Sequence, residues 1–143
     1  MTTLAKLDEL AGILGTRASL SDSCLIVNPD DLLSAATRLK DPLGLDFEYL
    51  DMITAADYSS HFELIYRLVS LKRNESVTLK TVLNKEKPSA PSLTALWQGA
   101  DYQEREIYDL FGIIFTAHPN LKRIMLWEGF QGHPLRKDYQ LGT

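Results

Sequence analysis

Apolar positions follow a helical period at the start of the chain, an alternating period through its middle, and no single period towards its end. Leu4, Leu7, Leu10, Ala11 and Leu14 share one helical face, and Gly15 follows as a stop. Cys24 to Val27 is an apolar run of strand length. Asn28 then reads as an N-cap, with Pro29 at the first helical position, where its missing N–H is harmless. Asp30 and Asp31 place negative charge in the first turn, at the positive end of the helix dipole. Leu32, Leu33, Ala36 and Leu39 supply a buried face, and Asp41-Pro42-Leu43-Gly44 ends the helix.

Phe47 to Ala56 reads as a strand of mixed pattern, followed by a turn at Asp57-Tyr58-Ser59-Ser60. His61 to Ser70 alternates: Phe62, Leu64, Tyr66 and Leu68 fall on one face, Glu63 and Arg67 on the other. A turn at Arg73-Asn74 leads to a third strand, Ser76 to Leu83. Lys85 to Pro91 holds two prolines and two lysines and reads as an exposed loop. Ser92 to Gln98 reads as a short helix leading into a longer one. For that longer helix, Asp101 is the expected N-cap, with Glu104 three residues on in an Asp-led capping box. Ile107, Leu110 and Phe111 make its apolar stripe, and Gly112 stands where a helix wants a left-handed residue. Ile113 to Phe115 reads as a short buried strand, and His118-Pro119 and His133-Pro134 as turns. Helices grouped against a largely antiparallel meander make an α+β, two-layer domain with an irregular C-terminal segment. One domain over residues 1–143 is expected, since 143 residues suffice for a single core.

Composition narrows the function. A net charge of −4 argues against a nucleic-acid binder, which usually carries a basic face. No apolar run approaches the roughly 18 residues of a membrane span. Asp8 and Glu9 among the first leucines fit neither a transit nor a signal peptide, so a cytoplasmic location is expected. Cys24 is the only cysteine, so this chain cannot ligate an iron–sulfur cluster by itself. His61, His118 and His133 are too widely spaced for a usual metal site. His118 and His133 are instead expected to bond the backbone of their own turns. Gly12 and Gly15 lack the preceding strand and glycine count of a dinucleotide loop, and no serine or cysteine sits in a nucleophile's setting. Trp97 and Trp127 fit a core or a partner contact equally well.

The densest chemistry lies between Asp101 and Tyr139. Glu104, Glu106 and Asp109 are carboxylates on one helix, but residues 104 and 106 point apart, which disfavours joint acid–base work. Arg105 and Asp109 are four apart and can pair on the helix surface. Such a pair contributes only a few tenths of a kcal/mol, so stability is a poor reason for so many charges. Arg123, Arg136 and Lys137, beside Trp127, Phe130 and Tyr139, have the arginine–aromatic character of partner contacts.

The run Glu104-Arg105-Glu106, two residues, Asp109-Leu110-Phe111, six residues, His118, three residues, Lys122, one residue, Ile124-Met125 resembles the signature of the C subunit of the proton-pumping NADH:quinone oxidoreductase, respiratory complex I. Gly132-His133-Pro134-Leu135-Arg136-Lys137-Asp138-Tyr139 is similar to that family's closing motif. Thr54 to Tyr58 and Phe62 to Tyr66, with Leu68 and Ser70, are similar to its central hairpin. Pro91-Ser92-Leu93 with Leu96-Trp97 is similar to the lead-in to its helix. Tyr102 departs from the tryptophan more often found in members, but keeps an aromatic. The resemblance covers residues 50 to 139 and leaves the first 45 without a motif.

The resemblance implies a mixed sheet and a non-catalytic assembly subunit of the peripheral arm. It implies docking to the quinone-site (D) subunit and to neighbouring iron–sulfur subunits, at the cytoplasmic face of the membrane and touching it only through partners. FMN, iron–sulfur clusters and quinone are implied on other subunits, with none bound here. Glu104, Arg105, Asp109, His118, Arg123, His133, Arg136, Lys137 and Asp138 are the expected assembly residues. The equivalent component of a membrane-bound hydrogenase or formate hydrogenlyase is the nearest alternative. A free-standing enzyme using these carboxylates and histidines is the reading of a different class.

Overall fold

A computed structural model of the chain describes Gly12 and residues 17–19, 24–41, 45–127 and 130–137. Apart from Gly12, the helix expected over Leu4 to Leu14 lies outside these residues, as do the Pro42-Leu43-Gly44 stop, Asp138 and Tyr139.

Strands β1 (Arg17–Ser19), β2 (Cys24–Ile26), β3 (Tyr49–Asp57), β4 (His61–Ser70) and β5 (Glu75–Asn84) form one sheet in the order β1-β2-β5-β4-β3. The meander β3–β4–β5 is antiparallel, and β2 joins β5 in parallel, so the sheet is mixed. β3 carries an irregularity between Leu50 and Met52, where Asp51 has no partner across the ladder. The alternation in β4 holds: Phe62, Leu64, Tyr66 and Leu68 are all fully buried. Val77, Leu79 and Leu83 of β5 continue the same apolar face.

Helix α1 (Leu32–Lys40) packs on this core through Leu32, Ala35, Ala36 and Leu39, and α2 (Ala100–Phe111) does so through Ala100 and Ile107. Leu33 is exposed, against expectation, because positions 32, 35, 36 and 39 already complete the i, i+3, i+4, i+7 face. Asn28 makes no side-chain cap; it precedes a 3-10 turn, Pro29–Asp31, that feeds α1.

Three further expectations are corrected. Ser89–Pro91 (β6) is a strand rather than part of an exposed loop, and pairs in parallel with β7 (Ile114–Thr116). Prolines fit there because β6 is an edge strand, and Pro88 still accepts the Ile114 N–H at 3.0 Å. Ser92 to Gln98 forms a single turn on the Leu93 carbonyl rather than a helix. Asp101 is not the cap of α2. The Trp97 and Gln98 carbonyls take the N–H groups of Ala100 and Asp101, so the first-turn donors need no side chain.

The buried face of β4 is the centre of this core. Leu64→Ala is expected to lower the unfolding free energy by roughly 2–5 kcal/mol in urea titrations. Val82→Ala, on the opposite and partly exposed face, is expected to cost less than about 1 kcal/mol.

Candidate functional site

Helix α2 carries two fully buried carboxylates, Asp109 and Glu104, directed to different sides. Asp109 organises the irregular segment that follows. Its Oδ2 accepts the backbone N–H groups of Ile124, Met125 and Leu126 at 3.2, 2.8 and 2.9 Å. Its Oδ1 pairs with Arg123 Nη1 at 2.7 Å. Three consecutive N–H groups aimed at one oxygen make a concave anion site, here filled by the protein's own side chain. Burial alone would raise the Asp109 carboxyl, but the Leu126, Met125 and Ile124 amides and the Arg123 guanidinium more than offset this and hold it below the usual aspartate range.

The same segment closes the C-terminal end of α2. Gly112 adopts a left-handed conformation (φ 79°) and its N–H returns to the Tyr108 carbonyl at 2.9 Å. The Asp109 carbonyl accepts both Arg123 Nη1 and His133 Nδ1, at 3.2 and 2.9 Å, and the Leu110 carbonyl takes the Leu135 N–H at 2.9 Å. Arg123 also spans to the Gly132 carbonyl at 2.8 Å, so its cation sits at the negative end of the helix. Arg105 holds the Lys122 and Arg123 carbonyls at 3.1 and 3.3 Å.

What this frame presents outward is apolar. Met125 is 62% exposed, Trp127 69% and Leu135 53%. Trp127 meets the half-buried Phe130 edge-on at 5.5 Å, and Arg123 lies over the Phe130 ring at 5.6 Å.

Glu104 faces the other way. Its Oε1 accepts the Ser92 hydroxyl at 2.7 Å and its Oε2 the Leu93 N–H at 2.8 Å. The buried His118 ring puts Nε2 3.1 Å from Asp101 Oδ1 and 3.9 Å from Glu104 Oε1. His118 Nδ1 accepts the Asn120 N–H at 2.9 Å, so in this geometry the ring hydrogen is on Nε2. Burial pushes the Glu104 carboxyl up to about 7, helped by nearby Asp101; the Leu93 and Ser92 hydrogen bonds oppose the shift.

The residues marked out by their chemistry therefore divide. Asp109, Arg105, Arg123 and His133 converge on one network, and Glu104 and His118 on another. The expected Arg105–Asp109 surface pair does not form, because both side chains are taken by residues 122–126. His118 bonds its own turn through Asn120, as expected; His133 does not, and reaches the end of α2 instead. Glu104 and Glu106 do point apart, one buried and one exposed. Trp97 is a core residue at 6% exposure, unlike Trp127.

Arg136 lies over the Phe62 ring at 5.1 Å, and the Lys137 N–H bonds Asp57 Oδ2 at 2.6 Å. Asp57 was missed from the sequence, together with Lys85, which pairs with it, and Ser92. Asp57 closes β3 as a charged residue in a strand that is otherwise largely apolar, and that was its available signal. Among the described residues no cluster of three His, Cys, Asp or Glu is placed to hold a metal.

A family model described as "Respiratory-chain NADH dehydrogenase, 30 Kd subunit" matches residues 25–143. The chain belongs to this family. It is 43% identical over 134 residues to the C subunit of the NADH-quinone oxidoreductase of Roseiflexus sp. (strain RS-1), covering 92% of this chain and 77% of that one. Against the corresponding C subunit of Moorella thermoacetica it is 41% identical, covering 98% and 95%. Its fold matches a trypsin-resistant Nqo5 fragment with a TM-score of 0.70 and 26% identity, over 82% of this chain and 98% of the fragment. A chain of an archaeal membrane-bound sulfane sulfur reductase shares the fold (TM-score 0.73, 21% identity, 94% and 83% coverage). The chain is a subunit of an NADH-quinone oxidoreductase.

Two pH limbs follow from the two carboxylates. Asp109, depressed in the fold, contributes stability present above the ordinary aspartate range and lost as pH falls from there through its own lowered value. Glu104, raised, contributes stability present below its ordinary value of 4.5 and lost as pH rises through about 7, by up to about 3 kcal/mol. Urea titrations across pH are expected to flatten on the acid side in Asp109→Asn and on the neutral side in Glu104→Gln. Separately, Gly112→Ala would set a Cβ 2.8 Å from His133 Cδ2 on a left-handed backbone. It is expected to cost about 1–3 kcal/mol in thermal unfolding and to displace the His133 ring.

Proposed function

We propose that this protein is a non-catalytic assembly piece of the peripheral arm, and that residues 121–127 and 130–137 carry its docking surface. The occupant is the quinone-site subunit, with neighbouring iron–sulfur subunits beside it, at the cytoplasmic face of the membrane. FMN, iron–sulfur clusters and quinone belong to those partners. The observation that carries this reading is the fully buried Asp109 carboxylate. It fixes the backbone of Ile124, Met125 and Leu126, while Met125 and Trp127 turn to solvent. A buried charge that pre-forms an exposed aromatic surface lowers the ordering cost of association. Exposed Trp127 and Met125, with the part-buried Arg123 beside them, have the composition of an interface centre.

The test is assembly in the organism's own membranes. Trp127→Ala is expected to weaken recovery of partner subunits by roughly thirtyfold in affinity, about 2 kcal/mol, with unchanged thermal unfolding of the isolated chain. Equal recovery by Trp127→Ala and by Met125→Glu would overturn the assigned surface. Robust NADH:quinone turnover by the pure chain would overturn the non-catalytic role. Recovery of a hydrogenase large subunit in place of a flavin subunit would contradict the assigned electron donor.

A further inference from the structure

The network around Glu104 takes no part in the docking surface, and its hydroxyl groups run outward. Ser92 Oγ is 2.7 Å from Glu104 Oε1 and 2.9 Å from Thr94 Oγ1. Ser92 Oγ also accepts the Thr94 N–H at 3.2 Å, which fixes the turn. Thr94 is partly exposed and lines an open groove of about 560 Å³ with Gln98, Asp101, Tyr102, Ala117 and Pro119. A buried carboxylate is thus joined to a solvent-facing groove by two hydroxyls, each able to donate or accept.

The groups facing Glu104 leave its charge uncompensated. Asp101 comes from the same helix, His118 from the turn after β7, and Tyr66 from β4. His118 takes the Asn120 N–H at Nδ1 and turns Nε2 towards Asp101, at 3.1 Å, rather than Glu104, at 3.9 Å. The Tyr66 hydroxyl is fully buried and has no partner among the described residues. Lys40 of α1 reaches the same turn but binds the Leu96 carbonyl and lies over the Trp97 ring.

We propose that Glu104 is a proton-binding site, filled from the groove through Thr94 and Ser92, and that its occupancy reverses the hydroxyl chain. With Glu104 ionised, Ser92 donates to Oε1 and Thr94 donates to Ser92, so Thr94 offers the groove an acceptor. A hydronium in the groove passes a proton to Thr94 Oγ1. Thr94 passes its own hydrogen to Ser92, and Ser92 passes its own to Oε1. Each hydroxyl gains one O–H bond and breaks one, and the net change is one proton on Glu104. Glu104 then donates to Ser92, Ser92 to Thr94, and Thr94 turns its O–H to the groove. The groove wall between Tyr102 and Thr94 so changes from acceptor to donor as pH falls. The site is independent of the docking reading, and the raised Glu104 carboxyl places the change near neutrality.

Side-chain carboxyl NMR of the full chain, with labelled glutamate, tests this without a variant. One glutamate carboxyl is expected to titrate near 7, well above the rest, and through-bond assignment to give it to Glu104. Ser92→Ala, which removes a hydrogen bond to the ion, is expected to move that midpoint higher. Thr94→Val is expected to slow proton exchange at Glu104 several-fold in relaxation measurements. Titration of Glu104 together with the exposed glutamates would overturn the site. An unchanged exchange rate in a folded Thr94→Val chain would overturn the path.

Discussion

One buried carboxylate determines how the last part of this protein is shaped. Asp109 has given up water and receives three backbone N–H groups and a guanidinium in return. A carboxylate left bare at that depth would cost several kcal/mol, so the segment that supplies its partners has little freedom to sit elsewhere. Residues 124–126 are irregular because their N–H groups serve an anion instead of a helix or strand. The end of α2 gains from the same arrangement. Its last carbonyls are met by Arg123, His133 and Leu135, which return from the far side of the segment. Helix, turn and tail therefore stand or fall as one unit.

The second carboxylate shows how context sets a different outcome for the same chemistry. Glu104 is as deeply buried as Asp109, but accepts only one N–H and one hydroxyl and faces Asp101 instead of an arginine. Without a cation or a third donor, burial dominates and the group holds its proton to near neutrality. Two carboxylates five residues apart on one helix so take opposite charge behaviour. The parallel pair β6–β7 makes this possible by fixing Ser92 beside the helix, with the Ser92 N–H on the Thr116 carbonyl at 2.9 Å.

Much of the scaffold was legible because it rests on short-range rules. The alternation of β4, the Gly112 stop and the antiparallel meander each follow from period or backbone conformation within a few residues. Asp101 looked like a cap, but the helix begins one residue earlier, on a local turn in which the Trp97 and Gln98 carbonyls take the Ala100 and Asp101 N–H groups. The other errors arose where a long-range partner outweighed a local one. Arg105 and Asp109 had the spacing of a surface pair, but a buried site with several donors is worth more than an exposed ion pair. Lys85 to Pro91 looked like a loop by composition, and only β7, more than 20 residues on, gives β6 its partner. The chemically dense residues were found through family likeness; which of them share a network was not in the pattern, since Arg123 and His133 meet Asp109 across 14 and 24 residues.

The central claim is that Asp109 shapes the exposed segment before any partner arrives. Amide hydrogen exchange of the isolated chain, read at Ile124, Met125 and Leu126, addresses it directly. The account predicts slow exchange at these three amides in the free chain, and loss of that protection in Asp109→Asn. Fast exchange in the free chain, slowing only within the assembled complex, would mean that the partner imposes the shape, and would contradict the account.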